Sequence, residues 1–312
     1  MRMTDLFAVD GTPVGRFAFG TMQWGEGADP IESETLYNMC RDAGIIHFDT
    51  AHVYTSGLAE TLLGGFAAQN REELFVATKV GYTGGAGHGT ILKQFDISRQ
   101  RLKMDMVDVL YLHRFDPETA LDETIETFAM LRDQGKIRHF GLSNFAAWQV
   151  MKAASIAARF DLKISILQPM YSLIKRQAEV EILPMCASEG IAVAGYSPLG
   201  SGLLSGKYKR GETGRLSQNE RYAARYNDPQ MYAAADALGV LAEKLHTHPA
   251  TLAVAWAAHH PAAPMPIISA RNTDQLKPSL EALHYTMDDA LYARLAALMP
   301  GPPPATDRLE ET

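Results

Sequence analysis

Cysteine is scarce in this chain: 312 residues hold two, Cys40 and Cys186. Two thiols in apolar helical surroundings make no disulfide framework and read as buried and free. No window reaches the roughly 18 uninterrupted apolar residues of a membrane span. The opening MRMTDLFAVDG lacks the apolar stretch of a secretory signal, so a cytoplasmic location is the expectation. Basic charge is short as well: 29 Lys and Arg against 36 Asp and Glu leave a net charge of −7, which argues against a nucleic-acid surface. Metal-ligand spacing of the HxxxE type is missing, and the adjacent His259 and His260 would point in different directions on a helix. No metal is therefore expected. GxGxxG is absent too, and the glycine-rich GYTGGAGHG lacks the GxxxxGK[ST] arrangement of a phosphate loop.

What the chain does have is rhythm. IIHFDT ends at Asp49, ELFVATK at Lys79, VDVLYLH at His113, IRHFGLSN at Ser143 and Asn144, ISILQ at Gln168, and IAVAGY at Tyr196. The gaps of 30, 34, 30, 25 and 28 residues each hold one strand, one helix and two loops. Strands joined that way run parallel, so all six polar ends gather at one mouth.

With RFAFG before them and PIISA after them, the strands number eight. Closure into a single (β/α)8 barrel leaves no exposed edge and needs no second domain over residues 1–312. A short N-terminal β segment precedes the barrel, and a polar tail at 301–312 is expected to be loosely ordered. The helix after the glycine-rich loop reads as starting near Asp96. Residues 197–228 read as one long polar loop at the C-terminal face, with Arg210 and Arg215 adding positive potential.

At that face Asp49, Lys79 and His113 end successive strands, and Tyr54 lies five residues beyond Asp49. Tyrosine, with a free pKa near 10, is a poor acid at neutral pH. A neighbouring lysine would lower that pKa while Asp49 keeps the lysine charged. His113 would share with Tyr54 the binding of an oxygen on which charge develops. Such a set polarises a carbonyl while a hydride reaches its carbon. Trp24, Tyr82 and Phe115 each follow a strand end and are candidates for an aromatic substrate pocket.

The motifs go further than barrel logic. FDTAHVY with AETLLG, then ATK, LYLHRFD, GKIRHFGLSN, QPMYSLI, YSPLGSGLLSGKY and PIISARNTDQL, in that order, resemble the aldo-keto reductase family from about residue 15 to 285. The resemblance implies NADPH, or NADH, bound in an extended groove without a Rossmann unit, and a small carbonyl or alcohol substrate. It implies Tyr54 as general acid, tuned by Lys79 and Asp49, with His113 orienting the carbonyl. Ser143, Asn144 and Gln168 would hold the nicotinamide carboxamide and Tyr196 would stack on its ring. Ser197, Leu199 and Ser201 match the pyrophosphate-covering segment. Arg271 matches a 2′-phosphate contact, which favours NADPH, and Gln275 an adenine contact. Ala59 stands where the family's serine precedes Glu60, Ser269 where it has a glycine, and Pro278–Ser279 where it has Glu–Asn. A regulatory subunit that binds nicotinamide with little turnover is the other class this pattern allows. A barrel hydrolase or lyase would leave the nicotinamide-like set unexplained. The oligomeric state is not legible here.

Overall fold

The computed structural model describes residues 6–308 and Glu310. Eight strands, β1 (Ala18–Gly20), β2 (His47–Asp49), β3 (Phe75–Val80), β4 (Val107–Leu112), β5 (Ile137–Ser143), β6 (Ile164–Gln168), β7 (Ala192–Tyr196) and β8 (Met265–Ile268), pair in sequence order. Every pairing is parallel, and Ala18 against Ile267 closes the ring between β1 and β8. Helices cover the outside, giving a (β/α)8 barrel.

The pleat explains how this sequence fills two cores. Side chains alternate across a strand, so each strand feeds both the barrel interior and the helix layer. Ala18, Phe75, Ala77, Val109, Tyr111, Ile166, Ala192, Ala194, Met265 and Ile267 form the interior cluster. Their neighbours one residue away, such as Phe19, Val76, Leu110, Leu112, Leu167 and Val193, join the larger cluster under the helices. Gly141 makes room inside: a Cβ there would lie 2.5 Å from the Tyr111 ring. Counting on in steps of two from the interior residues reaches Lys79 after Ala77, His113 after Tyr111, Gln168 after Ile166 and Tyr196 after Ala194. The same parity that packs the core therefore turns those polar groups toward the mouth.

The N-terminal β segment is an isolated antiparallel bridge between Phe7 and Pro13. It brings Leu6 and Val14 against the interior cluster. Arg138 ties it down by donating to the Phe7 carbonyl at 2.7 Å. Among the described residues, no helix is long and apolar enough to cross a membrane. Of the expected tail, Leu309, Glu311 and Thr312 lie outside the described residues, and 301–308 contain no helix or strand.

Two expectations change. The third barrel helix runs His88–Leu102 rather than from near Asp96. Its glycine-bearing start is held from the next helix, where the Glu123 carboxylate accepts from the His88 N–H at 2.7 Å. The loop 197–228 contains short helices at Arg215–Gln218 and Glu220–Arg225. Asn219 caps the second by accepting from the Arg221 N–H at 3.1 Å, and the fully buried Tyr226 anchors its end.

Candidate active site

Lys79 is fully buried, so its ammonium must be satisfied by protein. It donates to the Asp49 carboxylate, to the Thr50 carbonyl at 2.7 Å and to the Tyr54 hydroxyl at 3.3 Å. Gln168 donates to the other Asp49 oxygen at 2.8 Å. Strands β2, β3 and β6 thus meet in one network, with Tyr54 at its solvent side. Burial opposes the charge on Lys79, but Asp49 and Tyr54 outweigh it and raise its pKa. Burial raises Asp49 in turn, against the pull of Lys79 and Gln168. Lys79 stays protonated.

Tyr54 differs from expectation. Burial raises its pKa above the usual tyrosine value, and the nearby Lys79 only partly offsets that. Lysine therefore holds the hydroxyl in place and limits the rise rather than producing a net fall. His113 is neutral: burial first, then Lys79 and Arg114, lower its pKa to about 2. Among the described residues its Nδ1 is buried without a partner, which leaves Nε2 toward the cleft. The Tyr54 and His113 rings meet edge to face, 5.9 Å between centroids. A tyrosine hydroxyl and a neutral imidazole therefore stand side by side.

Beside them Ser143 donates to the Gln168 carbonyl at 3.1 Å, and the Asn144 amide donates to the His113 carbonyl at 2.9 Å. The Tyr196 hydroxyl donates to Asn144 Oδ1 at 2.7 Å. Asn144, Ser197 and Ser201 all hold positive φ, near 60°. Strained backbone of this kind concentrates at ligand sites.

The cleft occupies about 1070 Å³ and runs from Tyr54 and His113 past Tyr196, Leu199 and Ser201 to Arg271 and Gln275. At the far end Arg271 donates to Gln23 at 2.7 Å, and Gln275 accepts from the Arg271 backbone at 3.1 Å. Burial and the proximity of Arg271 and Arg215 lower the pKa of Lys207. None of these three cations has an ion-pair partner among the described residues, so the donor set fits a phosphate-bearing ligand. A polar cluster at one end and crowded cations at the other suit a nicotinamide dinucleotide.

Of the aromatic candidates, Tyr82 lines the cleft, its ring 4.8 Å from His113. Trp24 does not. It is fully buried among Phe19, Tyr37, Phe48 and Phe66, because the turn after β1 folds it back over the outer face of the strands. Phe115 also sits outside the cleft and packs on Phe145 and Trp148.

A supporting network was not visible in the sequence. Arg101 donates to the His52 carbonyl at 3.0 Å and to the fully buried Glu60 at 3.2 Å, and Glu60 accepts from Thr78 at 2.6 Å. The guanidinium lies against Gly57, where an added Cβ would come within 2.2 Å. The loop it supports carries Tyr54 and then Thr55, Ser56 and Gly57, all at positive φ. A charge buried at Glu60 was the only available signal, and its partner is 41 residues away.

Comparison with known proteins agrees with this geometry. The chain is 31% identical over 311 residues to an uncharacterised oxidoreductase of Bacillus subtilis, covering 94% of each. It is 31% identical to a probable voltage-gated potassium channel subunit beta of Arabidopsis thaliana, covering 88% of each. An aryl-alcohol dehydrogenase of Pestalotiopsis microspora shares 33% identity over 78% of this chain and 66% of its own. With residues 16–299 matching the aldo/keto reductase family throughout the barrel just described, the chain belongs to that family and is of its oxidoreductase type.

Proposed function

We propose that this protein reduces an aldehyde or ketone to its alcohol, reversibly, with NADPH as preferred cofactor and NADH as the lesser one. The observation that carries the proposal is the buried Asp49–Lys79–Tyr54 chain with neutral His113 beside it. A reduced nicotinamide, when bound, supplies the hydride that a carbonyl carbon accepts. Ser143, Asn144 and Gln168 would hold its carboxamide, and Tyr196 would pack on its ring. Ser197, Leu199 and Ser201 would cover the pyrophosphate, with Arg271 and Gln275 at the adenosine end. The unpaired cations around Arg271 favour the cofactor with the extra phosphate.

Tyr54 and His113 would each donate a hydrogen bond to the carbonyl oxygen, where negative charge grows as the bond is reduced. Tyr54 then gives up its proton to that oxygen. The protonated Lys79, 3.3 Å away, stabilises the tyrosinate left behind, and Asp49 balances the lysine. Water can refill the proton on Tyr54 through the open cleft. In the oxidative direction the same tyrosinate takes the alcohol proton.

A second reading has one observation in its favour, the potassium-channel β relatives: a nicotinamide-binding regulatory subunit with little turnover. One experiment separates the two. Purified protein with NADPH or NADH and a panel of aldehydes and ketones should show carbonyl-dependent loss of reduced-nicotinamide absorbance. Tyr54→Phe should cut kcat at least a hundredfold, within the range of general-acid contributions, with cofactor Kd retained. Tight cofactor binding without turnover in either direction would select the regulatory reading. Unchanged kcat in the variant would remove Tyr54 from the acid role.

A further inference from the structure

Arginines in this protein are held in several ways. Arg41, Arg71, Arg99, Arg101, Arg132, Arg138, Arg159 and Arg176 are tied to carboxylates. Three that line the cleft are held differently, each lying over a tyrosine ring. Arg114 lies 5.1 Å from the Tyr82 centroid, and Arg215 and Arg225 lie 5.4 and 5.2 Å from that of Tyr222. Among the described residues none of the three has an ion-pair partner or donates a hydrogen bond. A guanidinium seated on a ring face keeps its N–H edge free, and that edge matches the two oxygens of an oxyanion.

Arg215 belongs with Lys207 and Arg271 at the phosphate end of the cleft. Arg114 does not. It rides on Tyr82, the ring packed against His113, so it stands one aromatic ring from the place where the carbonyl would be polarised. Arg221, at the exposed rim of the same cleft, donates to the Tyr82 hydroxyl. Asp116, the acid close to Arg114, is already committed. It accepts from the Ala86 N–H at 2.9 Å, the Glu118 N–H at 3.1 Å and the Thr119 hydroxyl at 2.6 Å. The substrate side of the cleft therefore presents Arg114 with its N–H edge open, and Arg221 with part of its donor set taken up by Tyr82.

We propose that Arg114 and Arg221, gathered at Tyr82, form an anion subsite beside the reaction centre, and that the physiological carbonyl substrate carries a carboxylate or phosphate. This rests on the reductase reading above and narrows it to a substrate class. Tyr82 would serve as the spacer and the face on which the body of the substrate packs. Its ring sets the reach between the polarised carbonyl and the charged end.

The test uses three aldehydes of one shape, with the cofactor in excess: 4-carboxybenzaldehyde, 4-formylphenyl phosphate and the neutral methyl 4-formylbenzoate. At low salt at least one anionic aldehyde should exceed the ester in kcat/KM by about tenfold, the effect of one charge-assisted hydrogen bond in a partly open cleft. Added salt should shrink that ratio. Which anion leads identifies the carboxylate or the phosphate as the natural group. Arg114→Gln and Arg221→Gln should each lower the anionic-to-neutral ratio severalfold, a comparison that cancels the different intrinsic reactivity of the three aldehydes. Turnover of the ester at least as fast as both anions, or a ratio untouched by both substitutions, overturns the anion subsite and leaves the reductase reading standing. Turnover of none, together with none of the wider carbonyl panel, removes the reductase reading and this inference with it.

Discussion

Replacing Lys79 by methionine tests the central network, because it separates what the ammonium does for folding from what it does for chemistry. The wild-type side chain is fully buried, with Asp49, the Thr50 carbonyl and the Tyr54 hydroxyl as its partners. Lys79→Met leaves the Asp49 carboxylate buried with the Gln168 amide as its remaining donor. Breaking a buried pair from one side costs about 3–5 kcal/mol. Relief by protonation limits the penalty: an ordinary carboxyl takes up a proton at pH 7 for about 4 kcal/mol, and burial of Asp49 makes that uptake easier. A loss of about 3 kcal/mol is the expectation, with Asp49→Asn costing a similar amount. The double variant, in which neither charge is buried, should recover about 2 kcal/mol or more relative to the sum of the single losses. Urea unfolding of the four proteins measures this coupling. Additivity within about 0.5 kcal/mol would refute the ion pair as the source of the cost. Turnover should not recover along with stability. The double variant restores a satisfied core but leaves Tyr54 without a cation, so its kcat should stay as low as that of Lys79→Met.

Arg101 acts on Tyr54 through the loop that carries it. Arg101→Gln, and independently Gly57→Ala, which drives a methyl group into the guanidinium, should lower kcat about tenfold or more with KM nearly constant, as expected when transition-state geometry alone is lost. Arg101→Lys should restore part of it, and an equal rise in KM across these variants would mean general loosening instead. Acid stability follows from buried neutral histidines, since burial lowers His47 to about 3 and His113 to about 2. Unfolded histidine titrates near 6.5, so this stability is complete above that pH and is lost as pH falls toward the folded values. Each site should cost up to about 1.4 kcal/mol per pH unit, or roughly 3 kcal/mol for the two between pH 6.5 and 5. Urea midpoints that stay flat from pH 7 to 5 would contradict the neutral burial of these rings.

The strand ends were readable because β-sheet geometry is periodic. Once Ala77 and Ile166 face the interior, Lys79 and Gln168 must face the same way, and eight parallel strands bring those groups to one mouth whatever the loops do. Loops obey no such period. Trp24 and Tyr82 each follow a strand and are alike in sequence terms, yet one turns back into the helix layer and the other lines the cleft beside His113. The third barrel helix shows a related limit: local glycines point to a loop, while the Glu123 carboxylate that holds His88 in the helix comes from the next repeat. Tyr54 is the sharpest case. The residue types alone pointed to a hydroxyl made more acidic by lysine, because one favourable charge was visible and burial was not. The Lys79 ammonium does pull the pKa down, but desolvation of the same hydroxyl pushes it further up. Sequence therefore identified both partners and the sign of their attraction. The sign of the sum depends on how much water the fold removes, and that follows from packing that brings together residues far apart in the chain.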